Sequence, residues 1–348
     1  MNKYLLFLFA ALLAIPLSAK ADADADWHQI EILDKGPQQK PATQKETLLM
    51  AHQFLTTQLQ AVQSFSKKYP SDNRIFDARM REAALLAALG QMGNDHKLSD
   101  RALQIYAALE AQPNLSPAKQ ADAGFARVVL YIQTVDRATS QGRQLTLNAI
   151  DNFKAHYPND RRAPRLLVEG ATICDDNPEK KREMLLAAKS LSKEEDLNLR
   201  INDDLHRLDM LDKPLSLTAS SIQGGEINLE SLRGKTVAIV FWAADSIPCQ
   251  LWIRNFRSAV SKFPNSLVVI TISLDTNRLK LESTMKEIGI SSWPTNFDGK
   301  GWENPIARRF GINALPTLWL VDRQGKLRTL NARDNYEHSL RQLVQENK

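Results

Sequence analysis

The residues with the clearest chemical potential are Ser246-Ile247-Pro248-Cys249. They follow an unbroken apolar run from Val237 to Trp242 and a polar break at Asp245, and a new apolar rhythm begins at Cys249. That pattern predicts a buried strand, a tight turn and a helix whose first turn carries the cysteine. Free amides and the helix dipole stabilise a thiolate at such a position, which makes Cys249 a candidate nucleophile. Ser246 fits a helix N-cap, worth about 1 kcal/mol, with Ile247 and Pro248 in the first turn. The only other cysteine is Cys174. Three states stand open for Cys249: an inert thiol shielded in the core, a monothiol that exchanges disulfides, or a half-cystine bonded to Cys174 or to another chain.

Other chemistry is thin. The six histidines, at 28, 52, 96, 156, 206 and 338, show no metal-ligand spacing. Gly224-Gly225 and Gly299-Lys300-Gly301 read as turns and lack the framework of a phosphate loop, so neither a metal nor a cofactor is expected. Among the tryptophans, 242, 252, 293, 302 and 319 fall where they could line a groove near the turn, although core packing accounts for most of them. The 45 basic and 40 acidic residues leave a net charge of +5 with no dense basic run, which argues against nucleic acid.

A chain of 348 residues exceeds what one core usually covers, so two domains are expected. Residues 1–21 combine Lys3, an apolar run from Tyr4 to Leu17 and Ala19-Lys20-Ala21 as a small-residue cleavage site. This is the pattern of a secretory leader, and the apolar run is short for a membrane span. Export to a periplasmic or other extracytoplasmic space is therefore expected, with an uncleaved N-terminal anchor as the alternative and no span in the mature chain. Residues 22–46 read as a polar linker, and 47–212 as a helical domain rich in Ala, Leu, Gln, Arg and Glu. Within it, 65–74 and 153–162 share Phe, Tyr-Pro, Asp and Arg at matching positions, 88 residues apart. The segments resemble tetratricopeptide-type helical hairpins, whose concave faces hold partners; a compact helical domain that only positions its neighbour is equally admissible.

After Asp212-Lys213-Pro214 the grammar changes. An alternating stretch at Leu215–Thr218, a Gly-Gly hairpin turn, the strand at 237–242, a helix, a second buried strand at 266–274 and a helix closed by Gly289 come first. Then follow a short helix at 305–310, a hairpin about Asp322–Gly325 and a last helix from 334 to 345. That is an α/β order. The motifs LSLTASSIQGGEINLESLRGK, VAIVFWA, the Pro-Cys pair at 248–249 and FDGKGWENPIARRFGINALPTLWLVDRQGKL resemble the redoxin branch of the thioredoxin superfamily, in particular the TlpA-like thiol-disulfide proteins. The fold expected over 213–348 is accordingly thioredoxin-like, behind an all-α helical-repeat domain.

The resemblance places the family's Cys-x-x-Cys pair at Ser246 and Cys249, so the exposed nucleophile is a hydroxyl and the resolving cysteine alone is kept. It puts Asp245 where a tryptophan is usual and Trp252 where many relatives carry a glutamate, and it leaves no counterpart to thioredoxin's buried aspartate near Val240 or Phe241. Leu315-Pro316 falls on the family's cis-proline loop, so Trp242, Asp245, Pro248, Leu315 and Pro316 are the implied substrate-binding residues. A peroxidase variant, with Ser246 imitating a threonine before a lone reactive cysteine, lacks the proline that precedes that threonine. The reading that follows is an exported protein that binds polypeptide or partner segments with little dithiol turnover. The alternatives are a monothiol oxidoreductase or isomerase using Cys249, and an assembly scaffold acting through the helical domain.

Overall fold

A computed structural model describes residues 17–37, 41–137, 139–333 and 335–345. The expected leader, residues 1–21, falls largely outside them, since 1–16 are not among the described residues. The chain forms two compact units, 1–160 and 161–348.

The first unit is helical: α1 (Leu17–Leu33), α2 (Gln44–Lys68), α3 (Ile75–Gly93), α4 (His96–Glu110), α5 (Pro117–Thr134) and α6 (Ser140–His156). Consecutive helices pack on one another. Their starts follow capping chemistry: Thr43 and Glu46 form a reciprocal capping box, and Asp95, Ser116 and Thr139 each accept an amide of the first turn. Residues 22–33 were expected in the linker and are helical instead. The reason is burial, because Ala23 and Ile30 of α1 share a core with Val62, Phe65 and Ala78.

The echo read from sequence reappears as one cap used twice. Tyr69 ends α2 at φ −128°, ψ 61°, and Tyr157 ends α6 at φ −126°, ψ 61°. Each donates its N–H to the phenylalanine four residues back and lies near that ring, at 5.2 and 5.1 Å. Each phenolic hydroxyl donates to a carboxylate of an earlier helix, Asp26 at 3.0 Å and Glu110 at 3.1 Å.

The second unit opens with α7 (Ala163–Thr172), α8 (Pro178–Leu191) and α9 (Glu195–Met210), followed by a separate hairpin of β1 (Thr218–Ser220) and β2 (Glu226–Asn228). Then come β3 (Thr236–Trp242), α10 (Ile247–Val260), β4 (Leu267–Ser273), α11 (Arg278–Ile288), β5 (Thr295–Asn296), α12 (Pro305–Arg309), β6 (Thr317–Val321), β7 (Leu327–Thr329) and α13 (Tyr336–Gln345). The five-stranded sheet has the order β5-β4-β3-β6-β7, with β5, β4 and β3 parallel and β6 and β7 antiparallel to their neighbours. This is the thioredoxin-like α/β arrangement. Every residue of β3 is buried, as a central strand covered on both faces requires. One face of β3 carries Ala238, Val240 and Trp242 into a core with Cys249, Ile253 and Phe256 of α10, Leu281 and Met285 of α11, and Leu340 and Leu343 of α13. On the alternate face Phe241 meets Trp319 of β6, edge to face at 5.5 Å. The two-residue β5 carries too little pattern to be read from sequence; it pairs Thr271↔Thr295 and Ile272↔Asn296.

Candidate functional site

Strand register decides where the site lies. Trp242 at the end of β3 pairs with Ser273 at the end of β4, Ile272 pairs with Asn296 at the end of β5, and Phe241 pairs with Thr317 at the start of β6. The connections 243–246, 274–277 and 297–304, and the entry to β6 at 313–316, therefore all leave one edge of the sheet.

At that edge Ser246 is the N-cap of α10. Its backbone is extended (φ −91°, ψ 105°), and its hydroxyl oxygen accepts the Cys249 amide at 3.4 Å. Pro248 sits in the first turn, where a missing N–H costs nothing. Asp245, Ile247 and Pro248 are exposed, and Cys249 directly beneath them is wholly buried. Both Cys249 and Cys174 are free thiols. Burial, and the charge of Asp176 after it, push the Cys174 thiol up from its ordinary value. The Leu315–Pro316 bond is cis, with Pro316 buried, Leu315 half-buried and the Thr317 hydroxyl donating to the Ala314 carbonyl at 2.8 Å.

Two expected binding or lining residues are elsewhere. Trp242 is fully buried with its side chain in the core, so it offers a ligand no surface, and Trp319 is buried in the same way. The alternation of β3 places Trp242 among Cys249, Ile253 and Phe256, and the sequence run alone did not reveal how completely helices cover it. Trp252 is half-buried, stacks on Phe256 at 4.8 Å, meets Tyr336 edge to face at 5.7 Å and donates its indole N–H to the Arg333 carbonyl at 3.1 Å. It joins α10 to the C-terminal helix region. Asp245, Pro248, Leu315 and Ser246 do come together at the sheet edge.

Sequence reading missed Asp275. This carboxylate is nearly buried, at 4% exposure, and its Oδ1 accepts the Ala244 amide at 2.7 Å while its Oδ2 accepts the Ser273 hydroxyl at 2.7 Å. Gln250 holds the other side of the turn by donating to the Ala244 carbonyl at 2.7 Å. Burial pushes the Asp275 carboxyl above the usual range, and the charge of Asp245 adds to this against the lowering effect of those hydrogen bonds. The available signal was an aspartate just beyond the end of an apolar strand, a position that only the parallel pairing of β3 and β4 brings under the turn.

Exposed apolar side chains stand among polar ones such as Asp245, Arg278 and Glu303 around this turn. Between residues 213 and 345, the large hydrophobic side chains exposed among the described residues are Ile247, Leu251, Leu279 and Trp302. Each lies on a connection or helix start that leaves the same sheet edge. Residues 212–330 match the AhpC/TSA family model. Over those residues the chain is similar to that redoxin family, and the sheet has the thioredoxin-like strand order.

Over 113 residues this chain is 26% identical to the thiol-disulfide oxidoreductase ResA of Bacillus anthracis, a match covering 32% of this chain and 63% of that protein. The chain thus spans less than two thirds of the length of the curated relatives it matches. Among solved structures, the thioredoxin domain of a thiol-disulfide oxidoreductase from Bacteroides vulgatus is similar, with 20% identity, a TM-score of 0.33 and coverage of 37% of this chain and 94% of that one. A thiol-disulfide oxidoreductase from Bacteroides fragilis is similar at 21% identity and a TM-score of 0.33, covering 37% and 97%. Among the described residues there is no cluster of three or more His, Cys, Asp or Glu side chains placed for a metal ion, and no helix long and apolar enough to cross a membrane.

A cleft of ≈ 650 Å³ lies in the first unit, lined by residues of α4, α5 and α6 that include Glu110, Gln120, Arg127, Asn152 and His156. Its central carboxylate is already engaged, since Glu110 accepts from Arg127 at 2.7 Å and from Tyr157 at 3.1 Å. Burial and that carboxylate push the Tyr157 phenol up to about 12. The cleft is tied to the packing of three helices, and the sheet edge is the stronger candidate site.

Proposed function

We propose that this protein is an exported redoxin that binds polypeptide or partner segments at the sheet edge around 245–251 and 314–316, with little or no dithiol turnover. The observation that carries this reading is the gathering of Ile247, Leu251, Leu279 and Trp302 at the edge, above a cysteine with no exposed surface. Exposed apolar side chains concentrated at one place mark an interaction surface. Ser246 supports the same reading from the chemical side. A serine hydroxyl ionises several units above a thiol and forms no disulfide intermediate, and here its oxygen is engaged as a helix cap. The export component rests on the leader pattern at residues 1–21. Thiol exchange through Cys249 has less support, because a nucleophile must reach a disulfide sulfur and this thiol is enclosed.

The test is direct binding of an unfolded, cysteine-alkylated polypeptide, read by fluorescence anisotropy. Placing a charge at the surface with Ile247→Asp or Leu251→Asp is expected to weaken binding by about tenfold or more each, since a buried Leu or Ile contributes about 1.5–3 kcal/mol. The native protein should resist alkylation at Cys249 and should not reduce insulin disulfides. Rapid labelling of native Cys249 together with insulin reduction would replace the binding reading by monothiol catalysis.

A further inference from the structure

The entry to the proline loop is gripped by a helix that precedes the sheet in the chain. Asn313, two residues before Leu315, donates its side-chain amide to Asp204 Oδ1 of α9 at 3.4 Å. Asp204 is ion-paired with Arg207 one turn on, and both are buried, at 6% and 9% exposure. Gly311 lies against the same stretch of helix. A Cβ there would stand 3.1 Å from Asp203 Cβ and 3.2 Å from Arg207 Nη1, on a backbone at φ +60°. A side chain there would be strained by the backbone and would have to push those neighbours back. The helix itself is anchored to the sheet just beyond its end: the Asp212 amide donates to the Leu327 carbonyl at 2.7 Å, and the Leu327 amide to the Lys213 carbonyl at 3.0 Å. Burial lowers the Arg207 guanidinium to about 10, as a site deep in the contact requires.

From this contact we propose that α9 is a working part of the candidate site: Asp204 and Arg207 are positioning residues that set where Gly311–Leu315 approaches the cis proline. The assignment deepens the reading of the sheet edge as a partner surface and rests on it for its functional meaning. Its physical content is separate. The loop carries short main-chain bonds of its own, Gly311 N–H to Arg308 O at 3.0 Å and Ile312 N–H to Ala307 O at 2.9 Å. Phe310 packs on Trp319 of β6 at 5.1 Å, and the contact with α9 adds a second tie at Gly311 and Asn313. Asn313 and Ala314 are exposed even with it in place, and the Ala314 carbonyl is held by the Thr317 hydroxyl at 2.8 Å.

Amide hydrogen exchange on the full-length protein tests this, comparing peptides that cover 311–317 with peptides that cover β4. Asn313→Ala changes an exposed residue and leaves the fold intact, so it is the primary variant. It is expected to raise exchange at 311–317 by about tenfold while β4 exchange stays at the wild-type rate, since local openings are read separately from global ones. Gly311→Ala should give the same local loss. Asp204→Asn keeps an acceptor for Asn313 and should stay within about threefold of wild type, whereas Asp204→Ala should not. Unchanged exchange at 311–317 in Asn313→Ala and Gly311→Ala, or a uniform rise across β4 as well, would overturn the assignment. Polypeptide binding is measured on the same samples. If the wild type binds no unfolded polypeptide while the loop loses protection as described, the partner reading fails and the positioning role of α9 stands.

Discussion

Ser246 and Asp275 show how much of the site turns on single side chains. Ser246 works as a cap in this structure, and a cap at 3.4 Å is a long hydrogen bond, so Ser246→Ala is expected to cost about 0.5–1 kcal/mol. For a unit of this size that corresponds to a fall in melting temperature of roughly 1–4 °C, readable by calorimetry. A loss several times larger would give the hydroxyl a role beyond capping. Asp275 has a pH signature. Its folded carboxyl binds a proton more tightly than an unfolded one, so its contribution to stability declines as pH rises from the ordinary carboxylate range through the raised value. Asp275→Asn lacks that titration. Urea unfolding from pH 4 to 8 should therefore show the variant gaining on the wild type as pH rises through that window, and a constant difference would contradict the burial argument. The two residues also differ in legibility. A serine before Ile-Pro and an apolar helix is a local cap signal, and it is where the structure puts it. Asp275 caps the Ala244 amide 31 residues away, a relation that exists only once β3 and β4 pair.

At the scale of elements, sequence pattern located β3, α10, β4, α11 and the β6–β7 hairpin because each has a strong apolar period and a turn or cap at its ends. It missed α1 over 22–33, whose acidic, alanine-rich sequence hides two core positions, Ala23 and Ile30. It also missed β5, which is too short to have a period. The helix that carries the site, α10, is tied down by its aromatic face. Trp252 stacks on Phe256, abuts Tyr336 and reaches the Arg333 carbonyl, so this position is a packing anchor. Trp252→Glu would remove the stack and leave a carboxylate half-buried among rings. A loss of about 2–4 kcal/mol is expected, with α13 loosened first. Chemical denaturation gives the magnitude, and hydrogen exchange in 336–345 gives the order of events. A neutral result would mean that the aromatic cluster tolerates the charge and that Trp252 is free for another task.

At the scale of the molecule, the sequence changes grammar at 212–214, where helices give way to strands, but the contacts of α9 are not written in that change. Asn313 and Asp204 are 109 residues apart, and no local pattern predicts that they meet. The compact unit that holds the sheet begins at residue 161 and includes α7–α9. Leu197, Ile201 and Leu208 of α9 are buried, and the segment 212–215 pairs with 325–327 beside β7. A fragment of residues 161–345 is accordingly expected to unfold in one cooperative transition. A fragment of 213–345 would lose those three apolar side chains, the Asp204–Arg207 pair and the Asp212 amide bond. Each buried leucine or isoleucine contributes about 1.5–3 kcal/mol, so the shorter fragment should melt at least roughly 5 °C lower and bind more of a hydrophobic dye. Equal melting temperatures would show that the sheet domain is complete without α9. A large difference would mean that the helices ahead of the sheet are part of the structure that presents the proline loop to a partner.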